Sequence, residues 1–471
     1  MISAARLFRF SGVVIVGATP RNSMAGQVFD GLKSAGFTGN VACINPNAEA
    51  VGDVPGYASL ADVPFPFDAA VIVVRADRVP GVLAECGERG VRGVTIVAGG
   101  FVESGPAGAA LQAEVTAIAE RFGIAVCGPN CMGFASLHDR TSTYARANLP
   151  KTAGTVAVLS HSGGMLNEVL SYGEYRGIRF STLISSGNEA VCTVADYVDY
   201  LVDDDRTSTI GLIVEGIRSP DRVRAAFERA ARARKPIVAI KLGTSALAAA
   251  ATLTHTGVDA GSPEQFVALA GQCGVTIVED LEELCESLLL FSGARRLIAK
   301  PAVRGLAAIE VSGGGKELIC DLAARRDLDL PVLGTTTAER LAPILGDLSA
   351  PSNPIDLASS WDHPSSFAQH AAILDLLADD GGYDVVASRV TVLPSGSIDS
   401  ALEHGRIVAA AAGRHPTMLF TVLGRASDAI NPVWQSFCAE TGVTYLQGYR
   451  RGIGALANLD AYRRFLSRSL R

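Results

Sequence analysis

Short apolar runs alternate with longer amphipathic stretches along the whole chain. The runs have strand length and are apolar at nearly every position, as in sheets covered by helices on both faces. Their alternation with helical patterns is typical of βαβ units and parallel sheets. The predicted strands form three groups: 11–18, 40–46, 68–74, 93–99 and 124–130; 155–160, 181–187, 209–216, 235–243 and 275–278; and 306–312, 384–393, 417–424 and 444–448.

Two less apolar stretches separate these groups. Residues 138–153 are polar and contain Pro150, which indicates a linker, and residues 293–305 are basic and contain a proline. We therefore predict an α/β fold of three Rossmann-like or flavodoxin-like domains, each with a doubly wound parallel sheet. Their predicted limits are 1–140, 154–292 and 304–471.

The composition agrees with three folded domains. A chain of 471 residues with 48% hydrophobic residues has room for about three domains and is too apolar for disorder. The 49 glycines suit many tight strand-to-helix turns. A net charge of −7 gives no indication of a nucleic-acid or basic membrane-binding surface.

The cysteines and the N-terminus indicate a cytoplasmic protein. Nine cysteines in so long a chain are not a disulfide scaffold, and no histidines stand at zinc-ligand spacing around Cys127 and Cys131, so we expect no metal site. Arg6 and Arg9 precede an apolar run, as in a secretory signal, but the run is short and a glycine turn follows. We interpret it as the first strand. No run reaches the ~20 apolar residues of a membrane-spanning helix.

The second and third groups of strands share a short internal similarity. VAVLSHSGG at 156–164 and LAAIEVSGG at 306–314 both lead from a strand through Ser-Gly-Gly into a predicted helix. Serine and glycine commonly begin helices, so chance is one explanation. The equivalent positions of Ser162 and Ser312 favour a repeated domain type.

The first strand ends in a glycine turn that leads into a helix, a geometry that directs main-chain N–H groups at a phosphate. The turn begins at Gly17 but lacks the second glycine of the GxGxxG dinucleotide motif. The second strand ends in Asn-Pro-Asn at 45–47, where NAD-binding domains carry an acidic residue. A phosphate-containing ligand other than NAD fits better, with Arg21 and Ser23 able to bind its oxygens, and an ordinary βα turn is the alternative.

A series of motifs resembles a known family and covers nearly the whole chain. They are GATP (17–20), INPN (44–47), CGPNCMG (127–133), LSHSGGM (159–165), SSGN (185–188), VEGI (214–217), THTG (254–257) and SNPIDL (352–357). Together they resemble the succinyl-CoA synthetase α-subunit and the NDP-forming acyl-CoA synthetases, including the acetate–CoA ligases.

The resemblance implies that a carboxylic acid, an NTP and coenzyme A give acyl-CoA, NDP and phosphate through an acyl phosphate and a phosphohistidine. It implies His255 as the phosphate carrier and Glu215 as the carboxylate that orients it. An imidazole is nucleophilic and largely neutral near pH 7, as this role requires. From local sequence alone, His255 could instead end a short helix capped by Gly257.

The resemblance also implies two sets of binding residues. The predicted CoA-binding residues are Gly17, Thr19, Arg21, Ser23, Asn45, Pro46, Asn47, Val74, Asn130 and Cys131. The residues predicted to face the acid or the phosphate are Ser162, Gly163, Gly164, Gly187 and Asn188. We expect Cys131 to lie near the arriving thiol without taking part in the chemistry. A glutamine often stands in the family where this chain has His161.

The family reaction also needs an ATP-grasp module to charge the histidine. Such a module takes ~200 residues, and the three predicted domains already occupy the chain, which also lacks a GxxxxGK[ST] P-loop. We therefore expect a separate ATP-grasp subunit that binds ATP or GTP with Mg, and a hetero-oligomer that uses a small carboxylic acid and CoA.

Three other classes of protein are alternatives. A CoA- or nucleotide-binding regulatory protein that has lost catalysis is disfavoured by the presence of His255 and Glu215. An NAD-dependent dehydrogenase is disfavoured by Asn45 and the missing glycine. An acyltransferase-like relative that works without phosphohistidine is the third.

Overall fold

The computed structural model describes residues 2–250, 262–300, 303–357, 364–425 and 429–469. It confirms the predicted α/β class, with three mostly parallel sheets. The chain divides into two compact units, one of Met1–Glu174 with Ile178–Glu279 and the other of Tyr175–Gly177 with Asp280–Arg471. Among the described residues, no helix is both long enough and apolar enough to cross a membrane.

The first sheet of the first unit has the strand order β3-β2-β1-β4-β5-β6, which is the Rossmann order. All five residues of β1 are buried, so the basic and apolar N-terminal segment leads into a central strand, as predicted. The strands are β1 (Gly12–Val16), β2 (Asn40–Ile44), β3 (Gly56–Tyr57), β4 (Ala69–Ile72), β5 (Gly93–Ile96) and β6 (Ala125–Cys127).

The second sheet, in the same unit, has the order β13-β12-β11-β9-β10-β7-β8. Its strands are β7 (Gly133–Ser136), β8 (Thr141–Ser142), β9 (Val156–Ser160), β10 (Phe180–Ser185), β11 (Thr209–Val214), β12 (Ile237–Lys241) and β13 (Thr276–Ile277). β7 pairs antiparallel with β10, although the sequence places it in the first domain, and β8 pairs with β7. The prediction of a linker over 138–153 is therefore wrong for Thr141–Ser142, whose polar side chains are buried in the sheet.

The third sheet lies in the second unit and has the order β15-β14-β16-β17-β18. This is the flavodoxin-like order, in which the first strand has the second on one side and the third on the other. The parallel strands β9 to β13 follow the same order, so the similarity around Ser162 and Ser312 corresponds to a repeated sheet topology. The strands are β14 (Gly305–Glu310), β15 (Ile355–Asp356), β16 (Tyr383–Arg389), β17 (Leu419–Leu423) and β18 (Thr444–Leu446).

Helices connect the parallel strands, and buried aliphatic residues fill the space between helices and sheets. The helices of the first unit are α1 (Ala5–Phe8), α2 (Ser23–Ala35), α3 (Val79–Glu88), α4 (Pro106–Phe122), α5 (Gly163–Arg176), α6 (Val194–Asp203), α7 (Pro220–Arg232) and α8 (Pro263–Gln272), and residues 246–250 are also helical. Those of the second unit are α9 (Leu281–Gly293), α10 (Arg295–Ile298), α11 (Gly313–Arg325), α12 (Thr335–Leu345), α13 (Pro364–Asp380), α14 (Asp399–Arg414), α15 (Pro432–Thr441) and α16 (Tyr449–Ser469).

Candidate functional site

The turn after β1 is closed by Asn22, a residue that the sequence analysis did not single out. Its Oδ1 accepts the N–H groups of Met24 and Ala25 at 3.1 and 3.3 Å, and its Nδ2 donates to the Gly17 carbonyl at 3.1 Å. An asparagine directly before a helix is a typical N-cap, and this signal could have identified it. The turn leaves Arg21 exposed at the start of α2.

Position 17 requires glycine for two reasons: the backbone has a positive φ, and there is no space for a side chain. Its φ is +94°, and a Cβ there would lie 2.6 Å from Cγ1 of Val74. Val74, which follows β4, therefore packs against the turn and fixes its position. Among the other predicted CoA-binding residues of this turn, Ser23 is exposed and Thr19 is partly buried.

Asn45 supports the turn from inside the protein. It is buried, and its Nδ2 donates to the carbonyls of Ala18 and Glu49 at 2.9 and 2.8 Å. Its Oδ1 accepts the Glu49 N–H at 2.9 Å, so the side chain ties two loops together. Pro46 and Asn47 are exposed at the same sheet edge.

The Gly-Pro-Asn-Cys turn after β6 contains a buried thiol. Cys131 Sγ lies 3.4 Å from the Ile96 carbonyl and 4.0 Å from Cys127 Sγ. The contact with Cys127, together with burial, raises the pKa of the Cys131 thiol well above its usual value. This thiol is therefore a packing group, because the reactive form of a cysteine is the thiolate.

The Ser-Ser-Gly-Asn turn after β10 packs directly on the turn after β6. Gly187 has a φ of +58°, and a Cβ there would lie 2.3 Å from the Pro129 carbonyl oxygen. The Met132 N–H donates to Ser185 Oγ at 3.0 Å, and Asn130 Nδ2 donates to Asn188 Oδ1 at 3.3 Å. The structure thus brings two motifs together that lie about 60 residues apart in the sequence.

Asn188 is a buried link within this contact. Its Nδ2 donates to Glu103 Oε2 at 2.6 Å and to Gln112 Oε1 at 3.2 Å. Glu103 also accepts the N–H groups of Gly100 and Phe101. Burial acts to raise the pKa of Glu103, but the hydrogen bonds from Gly100, Asn188 and Phe101 outweigh it and lower that pKa.

The N-terminus of α5 lies against the same turns. Ser162 Oγ accepts the Met165 N–H at 3.4 Å, and the Ser162 carbonyl accepts the Ser160 hydroxyl at 2.7 Å. A Cβ on Gly163 would lie 2.1 Å from Cγ of Met132, so the helix begins in close contact with the turn after β6. Gly164 follows in the first turn of the helix. Main-chain N–H groups and the helix dipole make such an end suitable for an anion.

Glu215 directly follows β11, at the edge where α5 begins, and it is buried. Its N–H donates to His161 Nδ1 at 3.1 Å, and its carbonyl accepts from Lys241 Nζ at 2.8 Å. His161 Nε2 lies 3.2 Å from Glu189 Oε1. Glu215 and His161 lie in motifs of the sequence, whereas no motif indicated Glu189 or Lys241.

The predicted carrier, His255, lies outside the described residues, as does the rest of 251–261. Within the described part of the chain, no three or more His, Cys, Asp and Glu side chains cluster in a way that could hold a metal ion. The described edge of the sheet can therefore supply main-chain donors, a buried carboxylate and a buried imidazole.

Comparisons with known proteins identify two domain types. Residues 12–136 match the CoA binding domain, and residues 153–291 match the succinyl-CoA ligase like flavodoxin domain. A solved structure, the dinucleotide forming acetyl-coenzyme A synthetase 1 of Ca. Korarchaeum cryptofilum in complex with phosphate and ADP, covers 100% of both chains with a TM-score of 0.85 and 24% identity. At that identity the match supports the fold.

Curated relatives extend the match. The ADP-forming acetate–CoA ligase II subunit alpha of Pyrococcus furiosus is 31% identical over 406 residues, which cover 84% of each chain. The ADP-forming acetate–CoA ligase I of Archaeoglobus fulgidus is 32% identical over 396 residues, and the match covers 84% of this chain but only 55% of the relative. The chain spans about half the length of several such relatives. The chain belongs to the family of NDP-forming acyl-CoA synthetases that includes the ADP-forming acetate–CoA ligases, as its motifs predicted.

Proposed function

We propose that this chain is the CoA-binding, phosphohistidine-carrying part of an NDP-forming acyl-CoA synthetase. The observation that carries the proposal is the contact between the turn after β6 and the turn after β10, through Pro129 and Gly187. That contact brings the predicted CoA residues Asn130 and Cys131 next to the N-terminus of α5. A thiol that arrives along the first sheet would meet a phosphorylated intermediate at the second.

The proposed reaction has three transfers. The imidazole of His255 takes a phosphoryl group from an NTP, which leaves as NDP. A carboxylate oxygen of the acid then attacks that phosphorus, the N–P bond breaks, and an acyl phosphate forms. The sulfur of CoA attacks the acyl carbon, the bond from that carbon to the phosphate oxygen breaks, and phosphate leaves with the thiol proton. Activation by phosphate is needed because a carboxylate alone has no adequate leaving group.

The side chains have distinct proposed roles. Glu215 holds one nitrogen of His255 so that the other is the nucleophile, since imidazole nucleophiles are commonly oriented by a carboxylate. The N-terminus of α5 at Ser162, with Gly163 and Gly164, stabilises the transferred phosphate. The turn at Gly17, with Arg21 exposed beside it, binds phosphate groups of CoA.

We further propose that the nucleotide is bound outside these 471 residues, by an ATP-grasp module on another chain. Matches to the chain cover 84% and 80% of two Pyrococcus furiosus ligase α-subunits. They cover 48% and 63% of two other relatives, an acetate–CoA ligase and a 4-hydroxybutyrate–CoA ligase. The region that matches this chain is thus most of an α-subunit in some relatives and only a part of a longer chain in others.

Phosphoryl transfer from acetyl [³²P]phosphate to the purified chain tests the proposal without the nucleotide-binding partner. We expect label that is acid-labile and base-stable, as a phosphohistidine is. The label should be lost in His255→Ala and form more slowly in Glu215→Gln. His138→Ala, which removes an exposed histidine of the same unit, is the matched control and should label normally.

The same experiment distinguishes the alternative of a regulatory protein. CoA binding without any label, either from acetyl phosphate or from an NTP with the purified partner, would contradict the ligase and support a CoA-binding regulator. Label that persists in His255→Ala would place the carrier on another residue.

A further inference from the structure

His161 and Glu189 are two buried ionisable residues to which the proposed reaction gives no role. Their side chains are 5% and 3% exposed, and His161 Nε2 lies 3.2 Å from Glu189 Oε1. Neither of these two atoms has an aligned hydrogen-bond partner among the described residues. Glu189 also has a positive φ of 54°, which residues other than glycine rarely adopt. Burial of polar atoms without aligned hydrogen bonds is costly, so the presence of this pair calls for a reason.

The hydrogen bond at the other ring nitrogen shows how the ring is protonated. The Glu215 N–H donates to His161 Nδ1 at 3.1 Å, so Nδ1 must offer its lone pair. The ring proton is then on Nε2, facing the Glu189 carboxylate. The main chain adds a second connection, because the His161 N–H donates to the Ile213 carbonyl at 3.1 Å. His161 is therefore joined to the end of β11 by both its main chain and its ring.

We propose that His161 is a positioning residue for Glu215: its neutral ring accepts the Glu215 N–H on Nδ1 and fixes the main chain where β11 ends, and a second proton on the ring abolishes this contact. The positioning role rests on the proposed function, in which Glu215 orients His255. The state of the ring does not depend on that function.

Acidification should disrupt this arrangement in a defined way. Burial disfavours a charged ring, but the carboxylates of Glu189 and Glu215 outweigh both burial and the nearby Arg218, and the pKa of His161 is raised. Lys241 adds a cation at the Glu215 carbonyl. Because Nε2 already carries a proton, the next one must go to Nδ1, where it faces the Glu215 N–H. The contact is thus complete above the raised pKa of His161 and is lost as the pH falls through it.

Nitrogen NMR of the intact chain with ¹⁵N-labelled histidine tests the ring state without any turnover. The chain has seven histidines, and the signals absent from His161→Asn identify His161. At alkaline pH we expect a neutral ring with the proton on Nε2, and on acidification a doubly protonated ring. A proton on Nδ1 of the neutral ring, or a doubly protonated ring throughout the pH range in which the protein is folded, would overturn the inference.

A pair of variants tests the consequence for Glu215. His161→Asn keeps an acceptor, because Oδ1 lies near the position of Nδ1, whereas His161→Leu fills similar space without one. We expect the initial rate of labelling from acetyl [³²P]phosphate to fall about tenfold in His161→Leu and to stay within about threefold of wild type in His161→Asn. The acid limb of the rate should move to lower pH in His161→Asn.

The outcomes separate the two proposals. Equal rates in both variants, or an acid limb that does not move, would refute the positioning role. A wild-type protein that is labelled neither from acetyl phosphate nor from an NTP with the purified partner would refute the proposed function, and the histidine NMR would still decide the ring state. If His161→Leu does not fold, the NMR and the acid limb of His161→Asn remain decisive.

Discussion

Asn188 donates to Glu103 across the two sheets of the first unit, with Nδ2 at 2.6 Å from Oε2. Asn188 lies in the turn after β10, and Glu103 follows β5 in the first sheet. The bond is charge-assisted, and it joins two turns that local sequence gives no reason to pair. The predicted site therefore depends on Glu103, a residue that lies in none of the motifs that identified the site.

Removal of the amide should destabilise the first unit. Asn188→Ala leaves the Glu103 carboxylate with fewer donors in a partly buried place, and we expect the free energy of unfolding at pH 7 to fall by about 1–3 kcal/mol. Urea denaturation measures the change. Asn47→Ala, at an exposed position, should alter stability by less than about 0.5 kcal/mol. Equal stability of Asn188→Ala and wild type would contradict the structural role.

The Glu103 carboxylate should also contribute a pH-dependent component of stability. Its pKa is lower in the folded than in the unfolded protein, so its stabilisation is complete above the unfolded pKa of about 4.3 and is lost as the pH falls through the folded value. Glu103→Gln should therefore reduce the slope of unfolding free energy against pH in the acidic range. Urea titrations at several acidic pH values measure this slope, and an unchanged slope would contradict the prediction.

Gly187 should tolerate alanine much less well than a glycine in open space. Gly90 also has a positive φ, +77°, but a Cβ there meets no atom within 4 Å. Gly90→Ala should cost about 1 kcal/mol from backbone strain, whereas Gly187→Ala also drives a methyl into the Pro129 carbonyl and should cost about 3 kcal/mol or more. Chemical denaturation of both variants compares the two costs. Similar losses would mean that the turn after β6 moves aside easily.

Cys131 should behave as an unreactive thiol despite its place in the predicted site. Its raised pKa keeps it protonated, while Cys320 is exposed. Iodoacetamide should modify Cys320 well before Cys131, as followed by peptide mass spectrometry. Cys131→Ala should keep phosphohistidine formation within about threefold of wild type, since the sulfur only packs. Modification of Cys131 at the rate of Cys320 would indicate a reactive thiol.

The sequence predicted the strands well where local pattern alone decides them. Buried strands such as β1 and β11 are apolar at nearly every position, and the repeated Ser-Gly-Gly motif matched a repeated topology. The two-residue strands β3 and β15 were missed because neither lies within an apolar run, whereas the equally short β13 lies within the predicted run 275–278. β7 was not predicted as a strand because its partner β10 lies more than 40 residues further along the chain. β8 was not predicted because it has only two residues and pairs with β7 alone.

The candidate site was predicted only in part, because its contacts also join residues that are distant in the chain. Gly17 and Glu215 follow apolar strands, which marks them in a sequence. Glu103 contacts Asn188, which is distant in the chain. Glu189 itself has an unusual positive φ. The turns at a sheet edge can be located in a single sequence, but the contacts between them cannot.

Two lysines, one on β12 and one just before it, offer a matched test of the role proposed for Glu215. Lys241 Nζ donates to the carbonyls of Glu215 and Leu242 at 2.8 and 2.5 Å. Lys235 Nζ, just before the other end of the strand, donates to the carbonyls of Leu201 and Asp204 at 3.1 and 2.7 Å. Each ammonium group therefore satisfies two main-chain oxygens, but only Lys241 does so beside Glu215.

Methionine in place of either lysine keeps most of the stem and removes the donors. Lys241→Met and Lys235→Met should each lower the free energy of unfolding by about 1–3 kcal/mol, because two carbonyls lose a charged partner. Only Lys241→Met should slow phosphohistidine formation from acetyl phosphate, by about tenfold, since it releases the main chain at Glu215. Labelling rates at matched fractions of folded protein measure the difference. If both variants slowed labelling equally, the effect would follow global stability, and Lys241 would have no special relation to Glu215.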